Sequence, residues 1–266
     1  MNLNFWNWLK INFKVNILLI GINCLAYIIT FIFSAFIFSG NESLSLSLLG
    51  AQVLPGSEYP YSQFILQPWR FLTSSFLHGS LIHLAFNMWA LYSLGNYIEK
   101  FYSGKKLFLI YIITGIGSAF ASFIVPFIGL WQNNGIAQGV SISIGASGSI
   151  FGLVGVLLGH RYFKNKTYEP DLNFNASSLL TFVGINIFLG FSFNFLGSGI
   201  YVNNWAHLGG LVSGLILGAF LNTVNNFEAS KFKKIFEKIL FILSILLFLS
   251  AIIADIIFVV INIFNL

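Results

Sequence analysis

Charged residues are scarce in this sequence, and so are cysteine and proline. Asp, Glu, Lys and Arg together make up 8% of the 266 residues, against about 25% in a typical soluble domain. Because 57% of the residues are hydrophobic, a soluble globular protein is excluded and a polytopic membrane protein is indicated. The single cysteine, Cys24, excludes an intramolecular disulfide bond.

Seven apolar segments approach the roughly 20 residues that a membrane-spanning helix requires. They cover residues 15–38, 81–98, 107–127, 147–163, 178–196, 204–222 and 236–262. The sequence therefore predicts an all-α fold, a polytopic membrane helix bundle with seven spans. We expect a short cytoplasmic N-terminus at 1–14, a six-helix core at 15–222, a cytoplasmic linker at 223–235 and an additional C-terminal transmembrane helix at 236–266. The segment 39–80 is aromatic but broken by prolines, and it is expected to lie in the membrane interface.

Basic residues are unevenly distributed between the two sides of this seven-span arrangement. Arg70 would lie on one side, and the other 12 of the 13 Lys and Arg residues would lie on the opposite side. Because basic residues favour the cytoplasmic side, the N-terminus is predicted to be cytoplasmic and the C-terminus outside. This topology accounts for the net charge of +5, so no nucleic-acid partner is expected. The predicted location is a bacterial plasma membrane, with the chain as a multi-pass protein.

Two of the predicted helices carry glycine at helical spacing. In the sixth, His207 is followed by Gly210, Gly214 and Gly218. In the fourth, Ser147 lies at the edge of a face formed by Gly148, Gly152, Gly155 and Gly159. Small residues at this spacing let two membrane helices approach closely, and contact between these faces would place Ser147 beside His207. Taken alone, His207 fits a structural interfacial histidine as well as a catalytic one.

The second predicted helix supplies two more polar side chains at the outer membrane level. His83 and Asn87 are four residues apart and therefore face the same way. His78 lies five residues before His83. An isolated His and Asn pair is more often a hydrogen-bonding contact between helices, but here it shares its level with Ser147 and His207.

Four short motifs resemble those of the rhomboid family of intramembrane serine proteases. They are WR at Trp69–Arg70, HGSLIHLAFN at His78–Asn87, GASG at Gly145–Gly148 and AHLGGLVSG at Ala206–Gly214. Their order also matches, and the resemblance covers about residues 65–222. The seventh helix is similar to the C-terminal span appended to some rhomboids. The resemblance implies a six-helix rhomboid core plus one helix, and an intramembrane serine endopeptidase that cuts transmembrane segments near the outer face through an acyl-enzyme.

The resemblance also implies a role for each site residue. Ser147 would be the nucleophile and His207 its base, while His83, Asn87 and the Ser147 backbone N–H would stabilise the oxyanion. No acidic residue is well placed to orient His207, so we predict a dyad rather than a triad. Phe151 is expected to pack on the His207 ring, and Gly145 and Gly148 are expected to allow close backbone approach. The full set of residues with expected supporting roles is His78, Phe151, Gly145, Gly148, Trp69 and Arg70. No cofactor and no metal ion are expected.

Two other function classes compete with this interpretation. A rhomboid-like pseudoprotease, acting as a membrane-protein binding or quality-control factor, would have lost the serine or the histidine. A transporter or channel would favour buried charges and paired broken helices, whereas Asp255 is the only charge expected at mid-to-outer membrane depth.

The length of the fourth helix predicts the depth of the site and hence the substrate. Ser147 precedes His160 by 13 residues, about 20 Å of helix in a hydrocarbon core of about 30 Å, which places Ser147 roughly 10 Å below the outer surface. The expected partners are single-span membrane proteins, cut beside a small residue, and membrane lipid. Entry is expected beside the fifth helix, at Phe182, Phe188, Phe191, Phe193 and Phe195, under a cap formed by Gly197–Asn204.

Overall fold

Helices dominate the computed structural model, which describes residues 14–55, 67–132, 142–163, 174–195, 202–224 and 230–264. They are α1 (Val15–Phe36), α2 (Glu42–Leu48), α3 (Arg70–Thr73), α4 (Leu81–Tyr102), α5 (Gly104–Gln132), α6 (Ser147–Phe163), α7 (Ala176–Phe195), α8 (Asn204–Phe220) and α9 (Lys231–Phe264). A 3-10 turn at Ser74–Phe76 follows α3. Strands β1 (Gln52–Val53) and β2 (Ile142–Ser143) form a short antiparallel pair.

Each of the seven apolar segments coincides with a helix, and the chain is an integral membrane protein. Among the described residues, three helices are long and apolar enough to cross a membrane by themselves: Val15–Phe36, Gly104–Ile128 and Lys231–Phe264. The apolar stretch of α7, Ala176–Ser192, is shorter. Helices α6 and α8 contain 17 residues each, about 26 Å at 1.5 Å per residue. The number of seven spans therefore stays a prediction.

Helix α6 lies at the centre of the bundle, and every residue from Gly148 to His160 is buried. A Cβ added to Gly210, Gly214 or Gly218 of α8 would collide with the backbone carbonyls of α6. The expected close approach of the two helices is therefore seen. One detail differs: a Cβ on Gly148 or Gly152 would point at α5, where it would meet Ser118 or Thr114. These two positions let three helices converge, because α5 and α8 approach α6 on adjacent faces.

The described residues of the segment 39–80 contain more secondary structure and are more buried than an interfacial loop requires. Its described part contains α2, β1, α3 and the 3-10 turn. Gln52 pairs with Ser143 and Val53 with Ile142, and the Gln52 side chain donates to the Ala119 carbonyl of α5 at 2.7 Å. This strand pair attaches the segment that precedes α6 to the segment 39–80, which we call the first loop.

Helix α9 packs at the periphery, where Ser244 and Ala251 are its buried residues. Near its start, Glu237 forms an ion pair with Lys106 of α5 at 2.8 Å and accepts from the Asn222 backbone N–H at 2.6 Å. Parts of three sequence predictions lie outside the described residues. They are residues 1–13 of the expected N-terminus, 225–229 of the expected linker and 197–201 of the expected cap.

Candidate active site

Ser147 and His207 meet where α6 and α8 begin. Ser147 is the first residue of α6, and His207 lies in the first turn of α8. Their side chains approach to 3.0 Å between Ser147 Oγ and His207 Nε2. Close contact between the glycine faces of α6 and α8 produces this proximity, because it holds both helix starts at one level. If Nε2 accepts the serine proton, Nδ1 carries the hydrogen of the neutral ring.

The ring of His207 is held by packing rather than by an acidic partner. Phe151, one turn after Ser147, stacks on it with the ring centroids 4.3 Å apart and the planes 5° from parallel. His207 is 8% exposed, and within the described residues its buried Nδ1 has no hydrogen-bond partner. The arrangement therefore matches a two-residue nucleophile and base pair, with an aromatic surface in the place of a carboxylate.

His83 and Asn87 lie over the backbone that leads into Ser147. A Cβ added to Gly145 would lie 2.9 Å from His83 Nε2 and 3.6 Å from Asn87 Nδ2. Gly145 has a φ of +120°, a conformation that disfavours other residues, so glycine serves both the turn and the close approach. Asn87 Nδ2 is buried without a hydrogen-bond partner in the described part of the chain. It is therefore a donor that is free to meet a substrate oxygen.

The Ser147 backbone N–H follows two residues after Gly145, over which these two side chains lie. As the first residue of α6, Ser147 is among the residues whose N–H groups have no acceptor within the helix. The positive end of the helix dipole adds to the favourable potential for an anion at this point. The segment Gly145–Ser147 thus has the His83 and Asn87 side chains over its start and a free backbone N–H at its end.

His78 supports His83 from behind. Its side chain is fully buried, and its ring lies 4.9 Å from the His83 ring in an edge-on orientation. His78 therefore contacts another candidate site residue directly. Ser80 caps α4 by accepting from the His83 backbone N–H at 3.2 Å. The backbone of His83 is therefore held by Ser80, and its ring is held by His78.

Trp69 and Arg70 lie in the first loop, and their contacts are with that loop and with α9. Arg70 is 1% exposed, and its guanidinium donates to the Ala51 carbonyl at 2.7 Å and to the Gln67 side chain at 2.7 Å. Burial lowers the pKa of Arg70 to about 10, and the negative charge of Asp255 acts in the opposite direction. Arg70 is thus buried in protein rather than solvated among headgroups, because the loop's own carbonyls accept its hydrogen bonds.

The described phenylalanines of α7, Phe182, Phe188 and Phe191, do not all face the same way. Phe188 and Phe191 are exposed, as expected for residues that face lipid. Phe182 instead packs on Phe151, with the ring centroids 5.8 Å apart, because it lies on the face of α7 that meets α6. The side chains of Phe193 and Phe195 lie outside the described residues.

Two sets of side-chain contacts were missed by sequence reasoning, those of Asn203 and those of Asp255. Asn203 caps α8 by accepting from the Ala206 N–H at 3.1 Å, and it donates to Ser122 at 2.6 Å and Ser143 at 3.3 Å. An asparagine just before a helix is a recognisable cap signal. Asp255 accepts from Trp69 Nε1 at 3.1 Å. Its unusual place in an apolar helix was visible, but a partner 186 residues away was not.

Comparison with known proteins places this geometry in context. The Rhomboid domain model matches residues 66–224. RHOMBOID-like protein 4 of Arabidopsis thaliana is 29% identical over 234 residues, which are 82% of this chain and 52% of that protein. Rhomboid protease GluP of Bacillus subtilis (strain 168) is 33% identical over 154 residues, 58% of this chain and 26% of that protein. Rhomboid protease AarA of Providencia stuartii is 31% identical over 161 residues, 56% and 54% of the two chains. The chain thus spans between about a quarter and about half of the length of these relatives.

Proposed function

This chain belongs to the rhomboid family, and on that premise we propose that it is an intramembrane serine endopeptidase. The observation that carries the proposal is the 3.0 Å approach of Ser147 Oγ to His207 Nε2. A serine hydroxyl is a weak nucleophile unless an adjacent base accepts its proton. A histidine within hydrogen-bond distance and of restricted orientation meets that need.

In the proposed reaction, Ser147 Oγ attacks the carbonyl carbon of the substrate peptide bond while His207 Nε2 takes the hydroxyl proton. The carbonyl oxygen becomes an oxyanion, which accepts from Asn87 Nδ2, His83 and the Ser147 backbone N–H. His207 then donates its proton to the leaving amine, and the C–N bond breaks to give an acyl-enzyme. A water molecule, deprotonated by His207, attacks the ester and releases Ser147 with the second product.

The stacked Phe151 ring takes over one task that the acid performs in a triad. It restricts rotation of the His207 imidazole, so that Nε2 stays directed at Ser147 while the ring changes charge. This chain has Phe where some family members have Tyr, and the contact that matters here is the parallel stacking at 4.3 Å.

The proposed substrates are single-span membrane proteins that reach the site from the lipid. We place residues 15–222 in a six-helix core, residues 236–266 in an additional C-terminal span, and the N-terminus in the cytoplasm. The unequal distribution of Lys and Arg supports this orientation. The relatives come from bacteria and from a plant, so the bacterial plasma membrane stays a prediction from sequence.

Covalent labelling of the purified chain by a fluorophosphonate probe tests the nucleophile. Ser147 is expected to be labelled, and both Ser147→Ala and His207→Ala are expected to abolish labelling. Ser149→Ala is the matched control. Ser149 lies two residues after Ser147 on the same helix, and its hydroxyl donates to the Tyr111 carbonyl at 2.9 Å. Unchanged labelling of Ser147→Ala would refute the assignment. A folded chain that binds membrane proteins without labelling would favour the pseudoprotease instead.

A further inference from the structure

The additional helix α9 carries one carboxylate at a depth where charge is costly. Asp255 lies in a long apolar run between Ile252 and Phe264, on a helix that is mostly exposed. A charged group in such a helix is expected to have partners and a function, because an unpaired charge in hydrocarbon raises the free energy of the folded state. The contacts of Asp255 therefore indicate what α9 does.

Asp255 contacts the first loop rather than its neighbours on α9. Its Oδ1 accepts from Trp69 Nε1 at 3.1 Å, and a Cβ added to Gly50 would lie 2.8 Å from the same oxygen. One turn later, the Phe258 ring lies 5.8 Å from the Trp69 ring and 5.4 Å from Arg70 Cζ. The outer part of α9 thus closes over a group of residues that we call the loop 1 cluster: Gly50, Ala51, Trp69, Arg70 and Thr73.

The loop 1 cluster joins two stretches of the first loop to each other, residues 50–51 and residues 69–73. Arg70 Nη1 donates to the Ala51 carbonyl at 2.7 Å, and Thr73 Oγ1 donates to the Gly50 carbonyl at 2.7 Å. Gly50 has a φ of +92°, and an added Cβ would also lie 2.5 Å from Thr73 Oγ1. The position therefore tolerates only glycine, and the cluster has little freedom to rearrange.

Both stretches lead directly to the segment that carries the nucleophile. Ala51 precedes β1, which pairs with β2 at residues 142–143. Thr73 precedes Ser74, whose carbonyl accepts from the Gly145 backbone N–H at 3.0 Å. Because Ser147 follows two residues after Gly145, hydrogen bonds and short stretches of backbone together connect Asp255 to the start of α6 through Trp69, Thr73 and Ser74.

A second polar contact already attaches α9 to the bundle. Glu237 pairs with Lys106 of α5 at 2.8 Å, 18 residues before Asp255. That separation is about 27 Å of helix, close to the thickness of the hydrocarbon core of about 30 Å. The Glu237 contact holds the opposite end of α9 against the bundle. The helix therefore does not need a carboxylate at Asp255 merely to stay packed on the bundle.

We propose that Asp255 is a positioning residue for peptide-bond cleavage, through which the additional helix fixes the loop 1 cluster and, with it, the segment Gly145–Ser147. This inference rests on the proposed endopeptidase function. Asp255 does not touch the reacting atoms. It acts through Trp69 and the first loop on the placement of Ser147 relative to the oxyanion donors.

The test compares four variants of the full chain in lipid vesicles. Asp255→Leu removes the charge and the acceptor, Asp255→Asn keeps an acceptor oxygen, and Trp69→Phe keeps a ring without its donor. The double variant Trp69→Phe/Asp255→Leu shows whether the two residues act together. Asn262→Leu is the matched control, because Asn262 lies on the same helix and donates to its own helix at the Phe258 carbonyl.

Measurements of kcat, KM and thermal unfolding on a transmembrane substrate separate positioning from folding. At temperatures where all variants are folded, Asp255→Leu and Trp69→Phe should each lower kcat about 10-fold, the order expected for a charge-assisted hydrogen bond, with KM unchanged. The double variant should be no slower than Asp255→Leu, and Asp255→Asn should retain more activity. The inference is overturned if Asp255→Leu matches Asn262→Leu in kcat, or if activity falls only with the folded fraction. Absence of cleavage and labelling in the unaltered chain would instead refute the proposed function itself.

Discussion

Individual residues at the candidate site have hydrogen-bonding groups without partners. Within the described residues, Asn87 Nδ2 and His207 Nδ1 are buried and unpaired. A buried unpaired donor destabilises the folded state, and native proteins keep few of them. Unpaired buried groups also occur elsewhere in the described part of the chain. Asn87 Nδ2 differs from most of them in its place, because it lies over Gly145, two residues before Ser147, where a group that arrives with the substrate is able to accept from it.

Asn87→Ala tests whether this donor meets the developing oxyanion. Removal of one such donor lowers turnover by roughly 10- to 1,000-fold, and we expect kcat to fall within that range. Within the described part of the chain, Asn87 makes no hydrogen bond that the variant would lose, so the unfolding temperature should change little. Steady-state kinetics with circular dichroism melting checks both. Asn262→Ala provides the control, and unchanged kcat in a chain labelled at Ser147 would place the oxyanion site elsewhere.

The elements that carry the site are two helices whose first turns meet. Helix α6 begins at Ser147 after the turn at Gly145, and α8 begins after its cap, Asn203. Asn203 also donates to Ser122 of α5 and to Ser143 of β2. One side chain therefore connects the His207 helix with the segment that precedes Ser147.

Asn203→Ala is expected to lower both stability and turnover. Loss of an N-cap costs about 1 kcal/mol, and loss of the bonds to Ser122 and Ser143 frees the start of α8 to shift His207. Thermal unfolding should occur a few degrees lower, and kcat should fall several-fold in the fraction that stays folded. The comparison is with Asn175→Ala, since Asn175 accepts from the Ser177 N–H at 2.9 Å at the start of α7, a helix without catalytic residues. Equal loss of kcat in both variants would show that Asn203 acts only on stability.

The sequence predicts the helices and the packing of α6 on α8, but it does not predict the strand pair or the contact of Asp255. The apolar helices follow from segment length and hydrophobicity, and the packing of α6 on α8 follows from glycines at three- and four-residue spacing. The pair β1 and β2 was not predicted, because two-residue strands have too few positions for an alternating pattern. The contact of Asp255 with Trp69 was not predicted either, because it depends on where α9 packs against the first loop.

At the scale of the whole molecule, the depth of the site determines which bonds can be cut. Helix α6 ends near the His160 and Tyr102 pair, whose Nδ1 and hydroxyl are 2.9 Å apart. The 13 residues from Ser147 to His160 give about 20 Å of helix. With His160 at the cytoplasmic edge, we propose that Ser147 lies roughly 10 Å inside a core of about 30 Å. A substrate helix must unwind locally at that depth, because its own hydrogen bonds shield the peptide bond. Gly or Pro in the outer part of the substrate span should therefore promote cleavage.

The most direct test of the proposed function is mass spectrometry of the fragments from a single-span substrate incubated with the purified chain in vesicles. The unaltered chain is expected to give two fragments whose new ends lie in or just above the outer part of the span, after a small residue. Ser147→Ala should give none. Fragments from the Ser147→Ala variant with the same ends, or a cut at the cytoplasmic end of the span, would contradict the assignment of Ser147 and the depth of the site.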